Sequence, residues 1–315
     1  MLAPEISVVV PTFRRSQMLP GLVRMLEAQT LDHSRFEVIV VDNGSGDGTL
    51  ELLADLAAST PIDLRVLEYT ERQGPAGARN VGWRAAKAPY VAFTDDDCFP
   101  QPMWLEAGLT AMAADESVGV VQGRTDAPPG EPLGEWAVWR KVDRETPFFE
   151  GCNLFFRRDA LDRTGGFDEV AGFYFEDTAA GWAVVEAGWT RGYTPDALVF
   201  HPVEARGFRW HVRNGFVERN MVRIAARHPG FRRDAFWRPW AFQRDTVLLN
   251  VAVAGLLLGL RRRLALVFVL PYLAHCVRIS RPHLRAGYLA ERVVVDSVRS
   301  AAHVVGSIEN RTFVL

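Results

Sequence analysis

The stretch Tyr90-Val91-Ala92-Phe93-Thr94-Asp95-Asp96-Asp97 decides how this chain reads. Its first five residues are the apolar and β-branched run of a buried strand, and the last three are carboxylates at that strand's carboxyl end. Three adjacent carboxylates repel one another, so something positive has to hold them. A hard divalent cation with oxygen ligands meets that need, and Mg²⁺ typically sits on one or two carboxylates plus substrate phosphates. An ordinary acidic turn or helix cap would show the same three residues, so the neighbours have to arbitrate.

Working outward, Ile6 to Val10 is a second β-branched run, stopped at Pro11-Thr12, and Phe36 to Val41 is a third, ending in Asp42-Asn43-Gly44-Ser45-Gly46-Asp47-Gly48-Thr49. Leu64 to Leu67 adds a fourth. Helical spacing falls between them, in Met18 to Gln29, Leu50 to Ala58 and Ala76 to Ala86. Strands alternating with helices predict an α/β fold, a mostly parallel central sheet with helices on both faces. Ligands of such sheets bind beyond the carboxyl ends of the strands, so Thr12, Asp42 and Asp95 to Asp97 are expected to line one crevice. Further along, strands are expected at Val118 to Gly123, Glu150 to Arg157 and Val199 to His201. Helices are expected at Trp104 to Met112, at Ala160 to Gly166 and at Glu176 to Gly188.

The composition narrows the class. In 315 residues, 36 basic side chains face 38 acidic ones and leave a formal charge of −2, which gives no reason to expect a nucleic acid partner. Cys98, Cys152 and Cys276 are far apart and odd in number, without zinc-finger spacing or a disulfide framework, as expected in a reducing compartment. Strand pattern starts within six residues, which leaves no room for a signal peptide ahead of it.

Several polar residues carry two readings each. Asp42 can accept hydrogen bonds from a nucleobase or a ribose, or cap its own Asx turn; for Asp47 the turn is the expectation. The glycine turn has neither Gly-Lys-Ser/Thr nor G-x-G-x-x-G, so by itself it does not specify a phosphate cradle. Glu176-Asp177 opens a helix, where acids favour the dipole by about 0.3–1 kcal/mol. Both acids also follow the aromatic run Gly172-Phe173-Tyr174-Phe175, and apolar walls raise a carboxylate's pKa as a general base requires. His201, between an apolar strand and Pro202, is either structural or a neutral imidazole ligand.

Six of these stretches, in order across about residues 5 to 202, resemble a family 2 glycosyltransferase with the GT-A fold. They are Ser7-Val8-Val9-Val10-Pro11-Thr12-Phe13, Val40-Val41-Asp42-Asn43-Gly44-Ser45, Gly77-Ala78-Arg79-Asn80-Val81-Gly82, Phe93-Thr94-Asp95-Asp96-Asp97, Gly165-Gly166-Phe167-Asp168-Glu169 and Phe175-Glu176-Asp177. The resemblance implies an inverting transfer from a nucleotide-diphosphate-sugar donor. Pro11, Thr12 and Arg79 would line the nucleoside pocket, Asp42 would meet the base, and Asp95 and Asp96 would belong to the donor site. Asp95 and Asp97 take the acidic places of the D-x-D motif, with Asp97 on Mg²⁺ or Mn²⁺ and His201 a further ligand. Asp177 would be the catalytic base, with Glu176 supporting it or touching the acceptor. In one respect the chain departs from the family: Ala179 and Ala183 stand where many members carry an acid and an arginine, so acceptor class does not carry over.

The expected domains are 1–205, the transferase, and 206–315, a helical region. The latter begins with arginines (Arg206, Arg209, Arg213, Arg219, Arg223, Arg227, Arg232, Arg233, Arg238) and continues with the apolar runs Val247 to Leu260 and Leu264 to Val277 around Arg261-Arg262-Arg263. A spanning helix needs about 20 apolar residues. These shorter runs predict an interfacial or embedded hairpin on the cytoplasmic face of the membrane, with buried core helices as the alternative. Glu291 to Ile308 reads as an amphipathic helix with Val294, Val298, Ala301 and Val305 on its stripe. The expected partners are therefore a nucleotide-sugar donor, a glycan or lipid-linked acceptor in bacterial-type surface polysaccharide or glycolipid assembly, and a membrane surface. A nucleotidyltransferase is one rival; it would usually show a glycine-rich loop with a basic residue near the N-terminus, where Pro11-Thr12-Phe13-Arg14-Arg15 offers the arginines without the glycines. A non-catalytic sugar-nucleotide-binding module is another.

Overall fold

A computed structural model describes residues 3–71, 74–169, 174–279 and 286–315. Gly172 and Phe173 of the aromatic run lie outside the described residues. The chain divides into two compact units, Met1–Pro132 with Trp139–Val203, and Leu133–Val138 with Glu204–Leu315.

The first unit is built on eight strands: β1 (Ile6–Thr12), β2 (Phe36–Asp42), β3 (Asp63–Glu68), β4 (Tyr90–Phe93), β5 (Phe99–Pro100), β6 (Val118–Asp126), β7 (Leu154–Arg157) and β8 (Thr190–Phe200). They form one sheet in the order β3-β2-β1-β4-β7-β6-β8-β5, and four of its seven pairings are parallel. The helices are α1 (Leu19–Glu27), α2 (Thr49–Ser59), α3 (Pro75–Ala85), α4 (Trp104–Ala113), α5 (Arg158–Thr164) and α6 (Glu176–Glu186). Alternation along β1 assigns them to faces. Val8 and Val10 share a core with Leu22 of α1, Leu53 of α2 and Trp104 of α4. Val9, on the other face, meets α3 so closely that a Cβ on Gly82 would stand 2.3 Å from Val9 Cγ1. The expected α/β sheet covered on both faces is therefore the fold.

Register positions the polar ends. Thr12 lies opposite Asp42 in the β1–β2 ladder, and Val9 opposite Phe93 in the β1–β4 ladder, so the acidic triplet leaves the sheet on the side where β1 and β2 end. Residues 150–157 are not strand throughout. Gly151–Asn153 is a 3₁₀ turn and only Leu154–Arg157 is strand, because the turn serves the site rather than the ladder.

The second unit is helical: α7 (Phe208–Gly215), α8 (Arg219–Arg227), α9 (Pro229–Ala235), α10 (Arg244–Gly259), α11 (Leu270–Ile279) and α12 (Ala286–Glu309). Leu133–Val138 belongs here through Trp136, whose ring lies 4.9 Å from that of Tyr288 and whose Nε1–H donates to Glu291 at 3.0 Å. The C-terminal helix forms as expected, but its buried stripe differs. Val295, Asp296, Ser300, Ala302 and His303 are inside, while Val294 is 43% exposed. Two of the polar members have hydrogen-bond partners: Tyr272 donates to Asp296 at 3.0 Å and Ser300 to Asn250 at 2.8 Å, which explains the one polar residue of the first apolar run. Among the described residues, no helix is long and apolar enough to cross a membrane. Gly255 and Gly259 let the turn Arg263–Val269 pack against α10, leaving Leu257, Leu260, Leu264 and Phe268 at least half exposed.

Candidate active site

The acidic turn is held by cations from two sides. Its backbone closes through Cys98 N–H donating to the Asp95 carbonyl at 3.2 Å. Asp96 turns toward β1, where Thr12 Oγ1 donates to it at 2.6 Å and Arg15 at 3.0 Å. Arg15 also donates to Asp97 Oδ2. Burial pushes Asp96 up to about 6, against the Thr12 hydrogen bond and the Arg15 charge. Arg15 was not among the expected site residues, although its place in Pro11-Thr12-Phe13-Arg14-Arg15, past a strand end, was the available signal.

Arg79 carries the other side. From the second turn of α3 it donates through Nη1 to Glu176 at 2.6 Å and through Nη2 to Asp95 at 2.8 Å. Burial alone would lower its pKa, but the fields of Asp95, Glu176 and Asp177 outweigh that and raise it. The expected nucleoside-lining arginine is thus a buried clamp between the acidic turn and the start of α6. Glu176 is buried, and desolvation pushes its pKa up, with Asp177 adding and Arg79 opposing. The preceding residue, Phe175, takes φ +71°, a left-handed conformation a bulky side chain adopts only under constraint. That kink sets both acids at the mouth of α6.

Asp177 is half-buried and its two oxygens accept one backbone N–H each, Oδ2 from Gly151 at 2.7 Å and Oδ1 from Thr178 at 2.7 Å. Oδ1 also accepts from the Thr178 hydroxyl at 3.5 Å, while Oδ2 keeps a lone pair for a further partner. Gly151 was not expected to matter, and nothing local in the sequence marks it. Nor was Glu150, whose Oε2 is buried with no hydrogen-bond partner; burial, then Asp177, push it up to about 8, with Arg140 opposing.

Behind this, Asn80 pins the Gly165–Glu169 turn. Its Nδ2 donates to the Phe167 carbonyl at 2.8 Å and to Glu169 at 2.7 Å, and its Oδ1 accepts from Phe167 N–H at 3.0 Å. Gly166 sits at φ +81°, where a side chain would collide with Trp83 and Asn80.

Asp42 is wholly buried at the end of β2, and both its oxygens accept from Ser45, from the hydroxyl and from the backbone N–H at 3.1 Å. It forms the Asx turn that was the alternative to a nucleoside contact, while the ladder keeps it beside Thr12 and Pro11. Asp47 caps its own turn as expected, accepting from Thr49 at 2.5 Å.

His201 follows β8 and completes a donor set with the acidic turn: ligand atoms of Asp95, Asp97, Cys98 and His201 all lie within 4.8 Å of one another. His201 Nδ1 lies 3.0 Å from the Pro202 carbonyl. A hydrogen there leaves the Nε2 lone pair free, as a metal-binding imidazole requires. Two carboxylates and an imidazole suit a divalent cation, so the residues present fit such an ion. The structure thus brings together Asp95, Asp97, His201, Arg79, Glu176 and Asp177, and leaves Pro11 and Asp42 on the neighbouring strand ends.

A parallel half-sheet with an acidic crevice beyond its strand ends is the GT-A type of α/β fold. The glycosyl transferase family 2 model matches residues 7–167. The chain is 29% identical over 216 residues to glycosyltransferase AglE of Haloferax volcanii, 65% of this chain and 69% of that protein. It is 30% identical over 244 residues to the pre-mycofactocin glycosyltransferase of Mycobacterium tuberculosis, 71% of this chain and 48% of that one, so it spans about half the latter's length. Among solved structures, the mannosyltransferase PcManGT from Pyrobaculum calidifontis, in complex with GDP-Man and Mn²⁺, superposes with TM-score 0.60 at 23% identity over 99% of this chain and 88% of that one, a likeness of fold. This chain belongs to glycosyl transferase family 2 and is a glycosyltransferase enzyme.

Proposed function

We propose that the protein transfers a sugar with inversion from a nucleotide-diphosphate-sugar donor to a glycan or lipid-linked acceptor, in a reaction that depends on Mg²⁺ or Mn²⁺. The observation that carries this reading is the Arg79 clamp, which ties the acidic turn to the helix bearing Asp177 and so sets a cation-binding group and a candidate base in one crevice.

Asp95, Asp97 and His201 would hold the cation, which when bound supplies Lewis-acid neutralisation of the departing diphosphate. Asp177 is the base: Glu176 is buried and committed to Arg79, whereas Asp177 is more exposed and keeps a free lone pair on Oδ2. The acceptor hydroxyl gives its proton to Asp177 as its oxygen bonds the anomeric carbon, and the bond to the diphosphate breaks on the opposite face. Gly151 and Thr178 N–H groups fix the direction of that carboxylate. Pro11, Thr12 and Asp42 would border the nucleoside, and Asp96 supports the pocket through Thr12 and Arg15.

Membrane association at the cytoplasmic face is part of the proposal. Exposed leucines of the α10 hairpin beside Arg261-Arg262-Arg263 combine apolar area with charge suited to anionic headgroups.

A panel of nucleotide sugars, with Mn²⁺ and with chelator, tests the reading. Release of nucleoside diphosphate supports sugar transfer, release of pyrophosphate would make the protein a nucleotidyltransferase, and donor binding without turnover would make it a binding module. Asp177→Asn should abolish turnover while donor binding survives.

A further inference from the structure

Cys98 sits inside the crevice, and the mechanism above does not use it. It is 1% exposed, and its Sγ lies 3.9 Å from Asp97 Oδ1. The fold fixes this position twice. The turn hydrogen bond from Cys98 N–H to the Asp95 carbonyl brings residues 95 and 98 together. The antiparallel pairing of Phe99 with Phe200 then sets Cys98, one residue before, across from His201, one residue after.

The remaining lone pairs point the same way. Asp97 gives Oδ2 to Arg15, and its Oδ1 accepts from the Cys98 thiol, so a cation that replaced the thiol proton would meet both atoms. Asp95 gives Oδ1 to Arg79 and keeps Oδ2. Two oxygens, one nitrogen and one sulfur therefore stand within 4.8 Å of one another. Two donors on one tetrahedral zinc stand about 3.3–3.8 Å apart, given bonds of about 2.0–2.3 Å, and Cys98 Sγ with Asp97 Oδ1 is already near that separation at 3.9 Å. The farther pairs close on such an ion with side-chain shifts of about an ångström.

We propose that Cys98 is a ligand of this cation site, giving it a mixed oxygen, nitrogen and sulfur donor set that takes Zn²⁺, Co²⁺ or Cd²⁺ in preference to Mg²⁺. The inference rests on the reading that Asp95, Asp97 and His201 hold a cation, and concerns which cations they hold. Thiolate selects softer ions, while Mg²⁺ demands a near-octahedral shell of oxygens. Zinc-like ions would then compete with the ion that supports transfer, at the same position.

The test uses the full-length, metal-free chain titrated with Co²⁺. Sulfur ligation gives a charge-transfer absorption in the near ultraviolet, and Zn²⁺ should erase it stoichiometrically while Mg²⁺ in large excess should not. Cys98→Ser should remove the band and weaken Co²⁺ binding by at least the roughly 10–100-fold that loss of a ligand's hydrogen-bond partner costs. Cys152→Ser should keep the band, since Cys152 is the other buried thiol of this unit. Cadmium NMR of the unsubstituted chain reports sulfur coordination should Cys98→Ser not fold. Stoichiometric Co²⁺ binding without sulfur bands would overturn the role of Cys98 and leave the cation site standing, as would a band lost only in Cys152→Ser. Failure to bind Co²⁺ or Mn²⁺ at all, with or without a nucleoside diphosphate, would overturn both readings.

Discussion

Gly151→Ala is the sharpest perturbation of this site. A Cβ on Gly151 would stand 2.9 Å from Arg79 Nη2, 3.0 Å from Arg79 Cζ and 3.2 Å from Asp177 Oδ2, against the 3.4 Å at which ordinary contact begins. The neighbour cannot swing aside freely, because its guanidinium is held at 2.6 Å by Glu176 and 2.8 Å by Asp95. Relieving the overlap takes a displacement of about half an ångström in Arg79 or Asp177. Overpacking of this kind costs about 1–3 kcal/mol, of which the reduced entropy of the unfolded chain returns about 0.4–1. The net stability loss is thus small. The catalytic loss is not: a misplacement of about 1 Å costs on the order of 100-fold, so half of that predicts roughly tenfold in kcat. The assay is nucleoside diphosphate release with the donor found by the panel, alongside a thermal melt. An unchanged kcat in well-folded Gly151→Ala would refute the claim that Gly151 orients Asp177.

Other expectations follow from the same geometry. Arg79→Gln leaves Asp95 and Glu176 without their shared cation in a buried place, which should cost about 3–5 kcal/mol by melting and eliminate turnover. Glu150 and Asp96 are held above their ordinary values, so the folded state binds protons the unfolded state has lost. That contribution is full below the ordinary carboxylate range and vanishes as pH rises through about 6 for Asp96 and about 8 for Glu150. The unfolding free energy of the metal-free protein should therefore fall from pH 5 to 8, by at most about 1.4 kcal/mol per pH unit per group, with the melting temperature falling alongside, and Glu150→Gln should flatten the slope above pH 6. Gly82→Ala drives a methyl into Val9 and should lower the melting temperature by several degrees without altering the donor's KM. For the hairpin, replacing Arg261, Arg262 and Arg263 by Gln should weaken sedimentation with anionic vesicles by roughly 100-fold, at about 1 kcal/mol per basic residue.

The order of strands and helices was legible because buried parallel strands must be continuously apolar and must end in turns, as Ile6 to Val10, Phe36 to Val41 and Tyr90 to Phe93 do. Topology then obliged Thr12, Asp42 and the acidic triplet to share an edge. What sequence could not supply was the second coordinate of each polar group. Arg79 reads equally as a pocket wall or a clamp until Asp95 and Glu176, 16 and 97 positions away, are seen on its two nitrogens. Asp42 reads as a free ligand until Ser45 is found on both its oxygens. In α12 an apolar stripe is cheap to trace by period, yet the helix buries Asp296 and Ser300 instead, since Tyr272 and Asn250 wait for them. Periodicity reports which face is apolar on average. It does not report that a buried hydrogen bond, made across dozens of residues, can outweigh a valine's preference for the interior.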